Sequence, residues 1–581
     1  MPDGKPVQSH RTNENSDVAL NNIQLETANI RSDNFNISPG SESQSEPPFS
    51  RMEVPLRRQK YTARLQNLHG WRLWVTITTL CFGLFLSTLE TTIIATALIS
   101  IASTLGSYDK SNWIVTAYLV TYTGFLIIFA RVSDIFGRKT TFLCALAIFT
   151  AFSLACSLAQ SITQLIVFRA FQGIGGAGLY SLAMAVMTEV TPLKHIGIVS
   201  GLMGSIFALS SILGPILGGV ITSNTTWRWV FYLNLPPCVF IILLVIFIFP
   251  ANSGPLPITV ETLSYIDYPG ATFSLAGSIL LIFGLEQGGS GYPWSSPVII
   301  NAFTFGGISL LALAGWEAFI SRKSQPTSML PVFPAQLVTR RVLGCAMGAA
   351  FLTGFPFMVT IVFLPQRFQL SNGLTPAEAG IRMLALLLLS ALGAGLGGAV
   401  SSRRNIAWYI LVTALALQLL GLGLLSILPA SGPVPARQYG FQAILGLGFG
   451  LSLSSLVIVA RVEVGPSEVA VTMGAITQVR VLGGVIGIAI SQAILNAQVK
   501  GELREVLGEE MLAALLRSAA EIEQMTDEQA MATRECYGKA FNAQARIMMY
   551  FTVASLLVTL FTFRRRPISL EALDKEQNPE A

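Results

Sequence analysis

Charge is scarce in this chain. Asp, Glu, Lys and Arg make up 12% of its 581 residues, against roughly 25% in soluble globular domains, so an ordinary soluble protein is excluded. Histidine is nearly absent: His10, His69 and His195 are the only three, too few and too dispersed for a metal centre or a histidine-based catalytic cluster. The six cysteines (Cys81, Cys144, Cys156, Cys238, Cys345 and Cys536) are spread out. No pair has metal-ligand spacing and no disulfide framework is visible. The expectation is therefore no enzyme, no metal and no cofactor. The apolar stretches lack period-two alternation, which excludes a β-barrel. The net charge of +5 forms no basic stripe, so no nucleic-acid partner is expected. A signal peptide is not expected either, because the first seventy residues are polar.

What is present is apolar sequence, 52% of the chain, in runs of about twenty residues, the length of a bilayer-crossing helix. In lipid the backbone must bond to itself, so such runs read as helices. About fourteen follow from that length criterion: 73–102, 112–130, 140–160, 164–187, 196–222, 229–249, 268–287, 297–320, 343–365, 376–400, 406–428, 438–460, 468–497 and 547–563. Residues 1–70, rich in Asn, Ser, Glu and Pro, read as a disordered cytosolic tail. The basic run Arg51, Arg57, Arg58, Lys60, Arg64 and Arg72 then flanks the first span.

Alternate short loops carry Arg131/Arg138/Lys139, Lys194, Arg322/Lys323/Arg340/Arg341, Arg403/Arg404 and Arg461, and the tail 564–581 opens with three arginines. The opposite loops carry only isolated bases such as Lys110, Arg228, Arg367 and Arg437. This bias places both termini in the cytosol, although the inside loop 251–267 contains no Lys or Arg. The mixed-charge stretch 498–546 reads as an extracytosolic loop with short helices. Asn224-Thr-Thr226 on that side is a glycosylation sequon, too close to the membrane to expect its use.

Within the first apolar run stands one carboxylate, Glu90. A charge at bilayer depth costs roughly 2.5–3.5 kcal/mol on insertion scales, and such residues mark ion pathways and proton relays. Gly83, Ser87, Glu90, Ile94 and Ala97 share a mostly small helical face, which points Glu90 into the bundle. In the fourth run Arg169, Gly173, Gly176 and Tyr180 align at spacings of four, three and four. That pattern fits a buried base beside close helix contacts, or an edge arginine snorkelling to water. In the thirteenth, Arg480, Gly484, Gly487 and Ser491 align. Arg480 is a cavity charge that could steer anions or pair with a carboxylate, or again an edge residue. After the second run, Asp134, Gly137, Arg138 and Lys139 form an acid, a glycine turn and two bases. They either lock neighbouring helices or simply flank the membrane. Gly201, Gly204, Ser205, Ala208, Gly214, Pro215, Gly218 and Gly219 give the fifth run a small stripe suited to close packing and to a pivot, with Pro215 bending the helix.

At these residues the chain resembles the major facilitator superfamily, and within it the fourteen-span drug:proton antiporters, especially fungal toxin and multidrug efflux pumps. Asp134-Ile-Phe-Gly137-Arg138-Lys139 looks like the cytosolic signature loop. Arg169-Ala-Phe-Gln172-Gly173-Ile-Gly175 looks like the fourth-helix motif, whose Arg is implicated in proton handling. Ser210-Ser-Ile-Leu-Gly214-Pro215-Ile-Leu-Gly218-Gly219 is similar to the antiporter motif. Trp227-Arg-Trp229-Val-Phe231-Tyr-Leu-Asn234-Leu-Pro236 and Leu364-Pro365-Gln-Arg-Phe368-Gln369 with Thr375-Pro376 resemble sequences of the fourteen-span branch. The chain departs from the pattern at Ala130 and Ser210, where glycine is usual, and at Glu90, where Asp is usual. Arg403-Arg404 resembles a degenerate second signature loop.

The resemblance implies an all-α polytopic membrane protein of major facilitator fold. Two six-helix bundles (71–250 and 340–563) would flank two extra helices (268–320) around a cavity opening alternately to each side. It implies proton-coupled export of small hydrophobic compounds, through Glu90 and Arg169, across the plasma or vacuolar membrane, by a chain expected to act as a monomer in the lipid bilayer. A siderophore or basic amino acid transporter is the alternative within transport, and a receptor or channel the alternative outside it. Glu286 and Glu317 lie near span ends and are expected at the interface.

Overall fold

The computed structural model describes residues 70–105, 112–191, 195–249, 263–289, 291–322, 329–403, 406–464, 468–517 and 525–564, with pairs at 64–65 and 252–253. Of the disordered tail expected over residues 1–70, all but 64–65, which form a short strand, and Gly70 lies outside the described residues, as do most of the basic C-terminal tail, Arg404 and the side chain of Arg403.

Each long apolar run is a helix, as a backbone without water to bond requires. In chain order they are α1 Trp71–Leu105, α2 Asn112–Phe136, α3 Arg138–Ser157, α4 Ile162–Val190 and α5 Ile196–Asn224. A single turn, Trp229–Tyr232, leads into α6 Leu235–Phe247, which is followed by α7 Tyr268–Gln287, α8 Pro297–Arg322 and α9 Arg341–Leu370. A capped segment, Pro376–Arg382, precedes α10 Leu384–Arg403, and α11 Ala407–Leu425, α12 Arg437–Glu463, α13 Val469–Glu502 and α14 Asp527–Leu560 complete the series. Thirteen of these are long and apolar enough to cross a membrane, the turn before α6 counted with it. The fourteenth is α5, 29 residues long with Pro215 inside it. The strands described are β1 Arg64–Leu65 and β2 Asn252–Ser253, paired antiparallel.

Two predicted boundaries move. The expected extracytosolic loop 498–546 is mostly helical: α13 runs to Glu502, a segment Arg504–Arg517 breaks at Gly508 (φ +70°), and α14 starts twenty residues before the predicted span at 547. Its start is fixed by a reciprocal cap, in which the Thr526 hydroxyl accepts from Gln529 N and the Gln529 side chain accepts from Thr526 N. The signature loop is shorter than it reads. Residues 131–136 continue α2, and the turn is Gly137 alone, at φ +91° and ψ 151°, a backbone conformation essentially restricted to glycine.

Helices α1–α4 and α6 pack chiefly on one another, and so do α9–α14, while α5 is shared, lying on α1 on one side and on α10 on the other. The two sets meet where α5 lies on α10 and where α13 lies on α2 and α4. Outward faces are apolar and exposed, as lipid contact demands: Leu388, Leu392 and Leu396 of α10, and Phe305, Ile308 and Leu311 of α8. The extra helices α7 and α8 pair with each other, and α7 leans on both α2 and α13. Gly124 of α2 leaves room for Leu275 and Ile279 of α7, while the Gln478 amide of α13 donates to Ser278 Oγ of α7 at 3.0 Å.

Candidate functional site

Glu90 lies on α1, 0% exposed, and both its oxygens are engaged. Arg169 Nη1 of α4 is 2.5 Å from Oε1, and Asn234 Nδ2, at the start of α6, donates to Oε2 at 2.7 Å. Arg169 is itself 1% exposed, so the snorkelling reading fails. Nη1 also donates to Gln172 Oε1 at 2.8 Å, and Nε donates to the carbonyl of Ile114 at 3.1 Å. The far side of Gln172 donates to Ser153 Oγ at 2.8 Å. This is how a membrane interior accommodates two charges: paired, with further hydrogen bonds to both partners.

The glycines of α4 make the space. The Arg169 guanidinium sits 4.3 Å above the Tyr118 ring. A Cβ at Gly173 would meet the backbone carbonyl of Tyr118, and one at Gly176 its hydroxyl. Tyr118 in turn donates to the carbonyl of Ser87 at 3.2 Å, and Ser87 donates to the carbonyl of Gly176 at 2.8 Å. The Glu90 face of α1 is therefore fixed to the Arg169 face of α4. From Tyr118 a run of tyrosines continues: Tyr122 stacks at 5.6 Å and Tyr180 meets Tyr122 edge-on at 5.9 Å. Tyr180 Oη lies 3.5 Å from Arg480 Nη2.

Arg480 is half-buried and lines a cavity with Phe207 of α5, Thr353 and Phe357 of α9, Ser390 of α10, and Phe449 and Ser452 of α12. Its guanidinium lies 5.5 Å from the Phe357 ring centre. The cavity sits where α5 meets the α9–α14 set, and the roughly 550 Å³ of space around its lining includes open solvent. Arg480 is the one charged residue among the described residues lining this space.

At the α2–α3 turn Asp134 binds Arg138 at 2.7 Å and Arg131 at 3.1 Å. Arg138 also binds Glu189 of α4 at 2.9 Å, and Lys139 Nζ donates to the carbonyl of Ile246 at 2.8 Å. Arg131 Nε reaches the carbonyl of Pro331 at 2.6 Å, beyond the extra helices. These bases do more than flank the membrane: they lock α2, α3 and α4 together.

The small stripe of α5 divides into two faces. Gly214 and Gly218 lie against α1, where a Cβ would strike Thr92 and Thr96, and Pro215 lies between them inside the continuous helix. Gly201 and Gly204 face α10 instead, with a Gly201 Cβ only 2.8 Å from Gly395 Cα. Nothing lies within 4 Å of a Cβ at Gly219. Asn224 ends α5, exposed, its Nδ2 donating to the carbonyl of Val220 at 2.8 Å. Glu317, near the end of α8, is buried and accepts from Phe333 N at 2.8 Å. The side chain of Glu286 lies outside the described residues. Sequence reasoning gave no role to Asn234, Glu189, Arg131 or the tyrosine run. Asn234 carried a usable signal, a lone amide in an apolar run just before two prolines.

A lipid-facing exterior, a buried acid–base pair and a cavity between two helix sets define a polytopic membrane transporter rather than an enzyme. The comparisons give it a family. The model of the Major Facilitator Superfamily matches residues 80–488. The MFS-type transporter FPY5 of Fusarium mangiferae is 44% identical over 507 residues, 86% of this chain and 85% of that one. The MFS-type efflux pump LUC4 of a Fusarium species is 30% identical over 439 residues, 75% of this chain and 76% of that one. In fold the chain is similar to a bacterial homologue of the human lysosomal transporter Spinster, solved inward-facing and occupied, with a TM-score of 0.51 and 17% identity over 84% of this chain and 96% of that one. The chain belongs to the major facilitator superfamily.

Proposed function

We propose that this protein exports small, largely apolar compounds in exchange for protons by alternating access. The carrying observation is the Glu90–Arg169–Asn234 cluster, buried in an otherwise apolar helix set. The ionised carboxylate accepts from a guanidinium and an amide. A protonated one would hold the amide but release the guanidinium, so the proton decides how tightly α1, α4 and α6 are tied. A two-state helix arrangement biased in this way is what coupling requires. The efflux-pump name of the LUC4 relative supports the outward direction, and the aromatic cavity walls suit apolar cargo. The described lining residues include no carboxylate, which argues against a basic amino acid as cargo. The plasma membrane, with both termini cytosolic, is the proposed setting, and the charge bias of the loops supports that orientation.

The test is energised efflux of a fluorescent apolar compound by cells carrying wild type or Glu90→Gln. Wild type should lower accumulation in a protonophore-sensitive way, and the variant should reach the membrane yet export nothing. Full export by Glu90→Gln would remove the proton role.

A further inference from the structure

Arg480 narrows the chemistry of the cargo. Among the described residues every ion pair lies elsewhere: Glu90 is taken by Arg169, Asp134 and Glu189 by the α2–α3 turn, Glu463 by Arg564, and the others are at exposed positions. The Arg480 guanidinium has one neighbouring hydroxyl, Tyr180 Oη at 3.5 Å, and one aromatic face, Phe357. Among the described residues the rest of its five-donor fork meets no protein acceptor, and Arg480 lines the cavity. Around it the walls are rings meeting edge to face, Phe207 on Phe357 at 6.1 Å and Phe357 on Phe449 at 5.4 Å.

We infer that Arg480, with the Tyr180 hydroxyl beside it, binds a planar oxyanion such as a carboxylate carried by an otherwise apolar, aromatic compound. The inference rests on the reading above that this cavity carries the cargo. Three kinds of cargo present themselves to such a wall. A cation meets like charge. A neutral hydrophobe fills the aromatic space but leaves a desolvated guanidinium without a counter-charge, which is costly. An acidic hydrophobe satisfies both parts, because a guanidinium fork matches a carboxylate bidentately. A site built around a buried polar group discriminates strongly against the analogue that lacks the partner.

The position also suits coupling. Tyr180, Tyr122 and Tyr118 form a contiguous aromatic run from Arg480 to the ring beneath Arg169. The backbone of α13 is set independently of the Arg480 side chain, since Gly354 of α9 packs directly on the Arg480 carbonyl. Substitution of the side chain leaves that contact intact.

The experiment uses the full-length chain in nanodiscs, with binding of 2-naphthoate and of its methyl ester measured by equilibrium dialysis against protein-free nanodiscs. Wild type should bind the acid at least ~10-fold more tightly than the ester, the order expected of one hydrogen-bonded charge contact. Arg480→Gln should bring the ratio to about one, and Arg480→Lys, with charge but no fork, should keep part of it. An acid that binds no better than the ester, or a preference unchanged in a monodisperse Arg480→Gln protein, overturns the inference. Binding is read without a proton gradient, so it is separate from direction. In proteoliposomes, inward accumulation would overturn export while the acid preference stood, and a ratio of one would overturn the acidic cargo while export stood.

Discussion

The buried pair makes a quantitative demand on stability. Glu90→Gln keeps the size of the side chain and its contact with Asn234 but leaves the Arg169 guanidinium without a counter-charge. Arg169→Gln does the converse to Glu90. Removing one member of a buried pair costs about 3–5 kcal/mol, whereas removing both costs far less. Arg169 retains neutral acceptors at Gln172 Oε1 and the Ile114 carbonyl, so the low end applies, ~3 kcal/mol for each single substitution. The double substitution leaves two amides within reach of Asn234 and Gln172, which brings the loss to about 1–2 kcal/mol. The two singles together then exceed the double by several kcal/mol, a coupling at or above the upper end of the range seen for contacting residues. The assay is denaturant-titrated unfolding in mixed micelles of wild type, both singles and the double. If the two losses add to within ~0.5 kcal/mol, the behaviour of independent sites, then Glu90 and Arg169 do not share one charge balance in the folded protein and the coupling argument loses its basis.

Other perturbations test other parts. Arg169→Ala should inactivate or uncouple export, read as loss of gradient-driven transport in vesicles with retained insertion; an unaffected rate would contradict the pairing. Gly201→Leu places a branched side chain where a Cβ alone already approaches Gly395 Cα to 2.8 Å. It should wedge α5 from α10 and abolish transport, and a protein transporting normally would show that this seam never closes during the cycle. Gly137→Ala imposes a side chain at φ +91° and should cost ~1–3 kcal/mol, seen as a lower unfolding midpoint. Removal of the chain up to Lys60 should leave transport intact, because no functional side chain of the proposal lies there.

Some of this was legible in the sequence, for reasons that can be named. Helix number and order follow from apolar run length, because lipid imposes the same hydrogen-bond requirement on every span. Glu90 and Arg169 were legible because charge at bilayer depth is rare enough to need a partner. Where reading failed, the information was long-range or locally masked. Asn234 stands 144 residues from Glu90, and nothing in their spacing joins them. Tyr118 and Tyr122 carry no signal in the sequence, and Tyr180 stands out only as a member of the Arg169 face; the packing of α2 on α4 is what makes them a continuous run. The start of α14 was hidden because residues 527–546 are charged enough to look like loop, although Thr526-Asp-Glu-Gln529 carried a capping signature. Residues 131–136 read as loop because their charges suggest a surface, yet Arg131 is spent on Asp134 and the Pro331 carbonyl, and Asp134 on Arg131 and Arg138.

The extra helices gain meaning from the same bonds. Asp267 caps α7 by accepting from Gly270 N at 2.9 Å, and it also accepts from the Trp316 indole of α8 at 2.9 Å and from Val332 N at 3.1 Å. Glu317 of α8 holds Phe333 N, and Arg131 of α2 holds the Pro331 carbonyl between them. The segment leading into α9 is thus bound on one side by the α7–α8 pair and on the other by the α2–α3 turn. Meanwhile Ser278 of α7 bonds to Gln478 of α13, two residues from Arg480. A displacement of α13 against α2 must therefore carry α7, break the Ser278 contact, or slide Gly124 past Leu275. Of these, a single neutral hydrogen bond worth about 1 kcal/mol is the weakest restraint, whereas the cluster around Asp267 and Arg131 combines several contacts to a buried carboxylate and a guanidinium. The physical expectation is that α7 and α8 travel with α2 and that the α7–α13 seam is the surface that opens.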